Sequence, residues 1–301
     1  MGKGIGRIIA LTVLPFLPLS VDAADRTLDC STGTIQNFLP RLRPGDTLFV
    51  SGICDENVSI SGRYSSITLD GQGSATINGT DSNSNTVNIS GRRITIKGFT
   101  ITGGSRGVLV NRGAEATIDG NTIQATGGEG IELFNGASAR ILNNVIQNNP
   151  SHGILVTGTS VADIGITSGG QTVADTNTIQ NNGNNGIIVN RGSSARIKGN
   201  IISNNTSAGI RVADNSTADT ASNTIDGNND AGINVQRNSV VRLGRDGGTT
   251  LQDAPNSTTV NNTGYGIRCR LSGVVDGQLG TLNGTAGAAD IVGFCTDSTI
   301  P

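Results

Sequence analysis

The stretch Gly186–Gly209, GIIVNRGSSARIKGNIISNNTSAG, is the unit from which most of the chain is built. It opens on glycine and runs through Ile187-x-Val189, Ala195-x-Ile197 and Asn200-x-Ile202. It then closes on the next glycine. Marking the glycine before each such triplet gives Gly107, Gly130, Gly153, Gly186, Gly209, Gly232 and Gly266, separated by 23, 23, 33, 23, 23 and 34 residues. A fixed period of this length, in glycine-rich and β-branched sequence, marks a solenoid in which each unit makes one turn.

Other residues keep the same register. Ala116, Ala139, Ala162, Ala195 and Ala218 each follow their glycine by nine positions, and Asn121, Asn144, Asn177, Asn200 and Asn223 precede the next glycine by nine. Ile123, Ile146, Ile179, Ile202 and Ile225 stand two residues beyond those asparagines. Alternation with period two inside each short segment turns these columns inward, as stacks of like residues. An inward asparagine column satisfies itself along its own stack, and a structural role is expected for it. Three short strands per turn predict an all-β fold: a single-stranded, right-handed parallel β-helix of about ten coils.

Outside the repeats, residues 1–23 read as a signal peptide. Lys3 and Arg7 form a basic head, Ile8–Leu19 an apolar stretch broken by Pro15 and Pro18, and Val21-Asp22-Ala23 a small-residue cleavage site. Export to the periplasm or the medium is the expectation, with no transmembrane segment after cleavage. Residues 24–45 read as an N-terminal cap, and 46–301 as the helix with its C-terminal cap. Within the cap, Ile35, Phe38, Leu39 and Leu42 recur at helical spacing, so the sequence predicts a short amphipathic helix over Leu28–Leu42 that covers the first coil. Cys30/Cys54 and Cys269/Cys295 are separated by 24 and 26 residues, close to one turn, and are expected to form two disulfides that clip the ends. The two other connectivities would join opposite ends of a rod.

Composition narrows the function. Charged residues make up 15% of the chain and the net charge is −2, which leaves no electrostatic footprint for nucleic acid. One histidine, one methionine and no CxxC give no metal-binding pattern, and no cofactor is expected. The repeated G-I-x-V, S-x-A-x-I and G-N-x-I-x-x-N segments, over roughly Asp46–Cys295, resemble the right-handed parallel β-helix repeat proteins of the pectate-lyase-like superfamily. The resemblance implies an exported protein that binds an extended polysaccharide and modifies it by lyase- or epimerase-type chemistry. The alternative is a non-catalytic structural or adhesive module, because the superfamily holds both.

Equal offsets from the marking glycine name the candidate residues. The position just before it gives Arg106, Glu129 and His152 on successive turns, a corner suited to proton abstraction beside a sugar carboxylate. Pro150-Ser151-His152-Gly153 departs from the Asp-Pro-His-Asp pattern of mannuronan epimerases, and no aspartate cluster matches a pectate lyase calcium site. Two positions after the glycine come Leu109, Glu132, Leu155 and Ile188, with Phe134 two residues further on. The apolar members are expected to form an exposed binding patch. Ten residues after the glycine, Arg140, Asp163, Arg196, Asp219 and Arg242 alternate in sign, as a ladder that sets register and solubility. Two insertions of about ten residues begin at Gly165 and Gly244 and leave equivalent edges of their coils.

Overall fold

The computed structural model describes residues 23–167, 171–244 and 254–291, and the backbone of 296–300. Residues 1–22, which hold nearly all of the expected signal peptide, and Cys295 therefore lie outside the described residues. The chain winds as a parallel β-solenoid with three faces, and every strand pairs in parallel with its counterparts one turn away. Face 1 holds Val58–Ile60, Val87–Ile89, Val108–Val110, Ile131–Leu133, Ile154–Val156, Ile187–Val189, Ile210–Val212, Ile233–Gln236, Tyr265–Arg270 and Gly287–Ile291. Face 2 starts with Asp25–Asp29 and Thr47–Ser51 and passes through Ser138–Leu142, Val161–Ile164 and Ser194–Lys198 to Val274–Gln278 and Thr296–Ile300. Face 3 includes Ile53–Asp55, Thr122–Thr126, Val145–Gln147, Thr178–Gln180, Ile201–Ser203 and Thr224–Asp226. The rod has about eleven turns, one more than the periodicity predicts, because Asp25–Asp29 is already a coil strand.

Period-two alternation places Ile131 and Leu133 of face 1, Ala139 and Ile141 of face 2 and Ile146 of face 3 inside, all buried. They stack on their own kind from turn to turn: Ala139 pairs with Ala162, and Ala162 with Ala195. The marking glycines have a steric origin. A Cβ at Gly186 would lie 2.6 Å from Ile202 Cγ2 and 2.8 Å from both Asn205 Nδ2 and the Gly209 carbonyl oxygen. The chain passes its own next corner too closely there for any side chain.

Three polar ladders run inside the corners. Asn121, Asn144, Asn177, Asn200, Asn223 and Asn256 form one, in which each Oδ1 from Asn144 onward accepts from the backbone N–H and Nδ2 of the asparagine one turn back, while Asn121 Oδ1 accepts from Phe99 N–H. Each Nδ2 also donates to a strand carbonyl, as Asn144 does to Ile118 at 2.8 Å. Asn149, Asn182, Asn205, Asn228 and Asn262 repeat the device at the next corner. At the third, the N–H groups of Ser160, Ser193 and Ser216 donate to the hydroxyls of Ser193, Ser216 and Ser239. Buried turn backbone thus keeps its partners without water.

The N-terminal helix is much shorter than Leu28–Leu42. Residues 25–29 extend as a strand with Leu28 turned inward, the α-helix spans only Ile35–Phe38, and a 3-10 turn, Leu39–Arg41, contains Pro40. Leu28 alternates with its strand neighbours and so belongs to the coil, while Pro40 cannot supply the N–H that would extend the helix. The helix is fixed by its Thr34 cap and by Glu56, whose two carboxylate oxygens accept from the N–H groups of Ile35 and Gln36 at 2.7 and 2.9 Å. The Gln36 amide oxygen in turn accepts from Ser59 N–H at 2.7 Å, standing in for a missing strand at the edge of face 1. Cys30 and Cys54 are disulfide-bonded with Cα atoms 5.1 Å apart. Cys269 is buried and is not a free thiol, but its expected partner Cys295 lies outside the described residues. No helix among the described residues is long and apolar enough to cross a membrane.

Candidate functional site

The outward side chains of face 1 form one continuous file. Leu109, Glu132, Leu155, Ile188, Arg211, Asn234 and Arg268 are register partners on successive turns. The apolar patch expected from the sequence is in register but is not exposed. Ile188 is buried, and Leu109, Phe134 and Leu155 are half-buried. At a strand spacing of about 4.8 Å each side chain lies against those above and below it, so a continuous file covers its own members. The face is a graded track. Its lower turns carry the acidic corner, its middle is apolar, and its upper turns carry Arg211 and Arg268.

At the acidic corner, Gly107 N–H donates to Glu129 O, Gly130 N–H to His152 O, and Gly153 N–H to Asn185 O, which sets Glu129, His152 and Asn185 on successive turns. Arg106 Nε lies 3.1 Å from Glu129 Oε2 and also pairs with Glu132. Ser151 Oγ donates to Glu129 Oε1 at 3.0 Å. His152 Nδ1 is 3.4 Å from Asn185 Nδ2, and the Asn185 backbone also bonds the ring. The structure therefore brings Arg106, Glu129, Glu132 and His152 together as one group.

The electrostatics of the group push its acid and base in opposite directions. Burial holds the His152 pKa below its ordinary 6.5; Glu129 works against this, and Arg211 with it. Burial raises the Glu132 carboxyl above 4.5, with Arg106 opposing and Glu129 adding to the rise. The two shifts favour a neutral imidazole and a protonated carboxyl within the same group.

Three further residues were not assigned a role in the sequence. Thr157 Oγ1, Asn190 Oδ1 and Asn234 Oδ1 are buried and have no hydrogen-bond partner among the described residues. All three stand on outward positions of face 1, two or four residues after their glycines. That membership is the signal by which the sequence could have flagged them. Buried polar atoms without partners are rare in native proteins, and these three share face 1. Elsewhere, Cys30, Cys54 and Glu56 offer atoms close enough to hold a metal, but both thiols are consumed by the disulfide.

Residues 49–164 and 162–246 match the model of the right-handed β-helix region. The chain belongs to that family. This β-helix protein is also 34% identical, over 98 residues, to a cell surface glycoprotein of Methanothermus fervidus. The match spans 32% of this chain and only 16% of the glycoprotein. Among solved structures, the β-helix resembles a pectate lyase with a TM-score of 0.60 and 10% identity, over 92% of this chain and 80% of the lyase. A periplasmic alginate epimerase gives a TM-score of 0.51 and 14% identity, over 91% and 84% of the two chains. An alginate lyase from a Paenibacillus species gives 0.50 and 17%, over 91% and 99%. At these identities the likeness is one of fold.

Proposed function

We propose that this β-helix protein binds an extended acidic polysaccharide along face 1 and cleaves it by β-elimination at the His152 corner. The observation that carries the reading is the set of partnerless polar atoms on Thr157, Asn190 and Asn234, on the face that bears Glu132 and runs on from the His152 corner. A repeating polymer suits a surface that repeats every strand spacing, and its hydroxyl groups would complete the orphaned oxygens once the side chains that cover them move aside. Arg211, three rungs along the file from Glu132, would hold the carboxylate of a sugar further along the chain, and Arg106 beside Glu132 would acidify the carbon that loses its proton. Asn185 Nδ2 donates to His152 Nδ1, so the neutral ring carries its proton on Nε2, and Nδ1 would take that carbon's proton once the substrate displaces the Asn185 amide. Glu132, protonated, would donate to the glycosidic oxygen as the C–O bond breaks, leaving a 4,5-unsaturated end.

A second reading is a non-catalytic surface module. It is supported by the closed pairing of Arg106 with both Glu129 and Glu132, and by the partial match to a cell surface glycoprotein. One experiment separates the two. Acidic and neutral polysaccharides are tested for calorimetric binding and for unsaturated products, with wild type beside His152→Ala, Glu132→Gln and Arg211→Ala. The enzyme reading expects Arg211→Ala to weaken binding about tenfold, or about 1.4 kcal/mol, and His152→Ala to bind normally without turnover. Binding without turnover in the wild type leaves the surface module. No binding to any acidic polymer removes both polysaccharide roles.

A further inference from the structure

Face 2, on a different side of the rod, carries a pattern that the polysaccharide reading does not use. Its outward file runs Arg140, Asp163, Arg196, Asp219, Arg242 and Asp276, each in register with the next. Arg196 grips Asp163 through two hydrogen bonds of 2.7 and 2.9 Å, and Arg242 lies 3.4 Å from Asp219. Arg140, at the end of the file, is exposed and in no ion pair among the described residues. An alternating file with an even number of members has a symmetry property. Turned end for end, it becomes its own complement. A twofold axis that lies along the strands, between Arg196 and Asp219, sets Arg140 against the second copy's Asp276. The same axis sets Asp163 against Arg242 and Arg196 against Asp219.

The neighbouring file obeys the same operation. Two residues earlier on each strand stand Ser138, Val161, Ser194, Thr217, Val240 and Val274. The twofold brings Val161 to the second copy's Val240 and Ser194 to its Thr217. Val161 is 51% exposed, so the twofold sets an apolar contact beside the charged file. The coil of Gly165 is likewise exchanged with that of Gly244, the two points from which the insertions leave this edge.

We infer that face 2 is an isologous interface, and that its partner is a second, antiparallel copy of this chain. Register is dictated by charge. A slip of one coil sets like charges opposite each other along the whole file, and a slip of two coils loses two of the six cross-pairs. The six-coil strip measures roughly 29 Å by 17 Å, or about 500 Å² per copy. This is below the area of about 800 Å² per partner typical of tight complexes, so the dimer is weak and salt-sensitive.

The test is sedimentation equilibrium of the full mature chain at about 0.05 M and about 0.5 M salt. A self-dissociation constant that rises roughly tenfold between the two conditions is expected. Arg140→Ala removes only cross-pairs, and Val161→Glu sets a carboxylate against Val240. Each should weaken dimerisation about tenfold and leave the melting temperature of dilute monomer unchanged. A chain that stays monomeric at low salt, or a dimer indifferent to salt and to both substitutions, overturns the assignment. Polysaccharide binding on face 1 is measured alongside. It should be unaffected, so failure here and failure there are separate results.

Discussion

Replacing Asn144 with alanine tests whether the asparagine ladders hold the rod together. The side chain makes four hydrogen bonds. Its Oδ1 accepts from Asn121 N at 2.9 Å and Asn121 Nδ2 at 3.1 Å, and its Nδ2 donates to Ile118 O at 2.8 Å and Asn177 Oδ1 at 3.0 Å. Asn121 Nδ2 keeps Ile96 O, and Asn177 Oδ1 keeps the Asn144 backbone N–H. The losses that matter are thus the buried Asn121 N–H and the second partner of the Ile118 carbonyl. Stranding a buried polar group costs about 1–3 kcal/mol, so the substitution should cost about 3–5 kcal/mol once the lost packing is added. Gln147→Ala is the control, since its 2.9 Å bonds with Gln124 and Gln180 are only part-buried, and its cost should stay below about 1 kcal/mol. The assay is urea unfolding followed by circular dichroism. The slope is compared between variants, because a solenoid can lose coils separately from the rest. If Asn144→Ala falls within about 1 kcal/mol of Gln147→Ala, the ladder is not what satisfies the turns.

Other outcomes follow from the same structure. Gly186→Ala drives a Cβ to 2.6 Å from Ile202 Cγ2 and should cost about 1–3 kcal/mol by thermal unfolding, although its backbone angles are ordinary. Replacing Cys30 and Cys54 by serine releases a loop of 24 residues and should destabilise the N-terminal coils by about 3 kcal/mol, read as earlier exchange of their amide hydrogens. Turnover needs neutral His152 and protonated Glu132. It should therefore rise with pH through the lowered histidine value and fall through the raised glutamate value, giving an acidic optimum that Glu132→Gln abolishes. The stability linkages of the two groups have opposite signs. The unfolded chain binds the His152 proton first, so that group weakens the fold as pH drops below 6.5. Folded Glu132 holds its proton longer, so it weakens the fold as pH climbs above 4.5. Measured at neutral pH, Glu132→Gln should be no less stable than wild type.

The sequence carried the repeat because every coil must solve the same packing problem. A glycine where Ile202 crowds the chain, an alanine at Ala195 and an asparagine at Asn200 recur for steric and hydrogen-bonding reasons that do not vary along the rod. The cap was less legible. Leu28 fits a helical period as well as a strand alternation, and only its pairing partner Val50 decides between them. The corner of Arg106, Glu129 and His152 could be read from offsets alone. The lack of partners at Thr157 and Asn190 could not, since it depends on neighbouring turns that leave those oxygens covered yet unbonded. Nor could the burial of Ile188, which an outward offset had suggested was exposed.

Hydrogen–deuterium exchange with and without an acidic oligosaccharide tests the central claim most directly. Protection should appear in segments 106–111, 129–134, 152–157, 185–190, 208–213 and 231–236, which are successive rungs of one face, and segments 138–142 and 194–198 of face 2 should be unchanged. Protection scattered over several faces, or confined to face 2, would contradict the account.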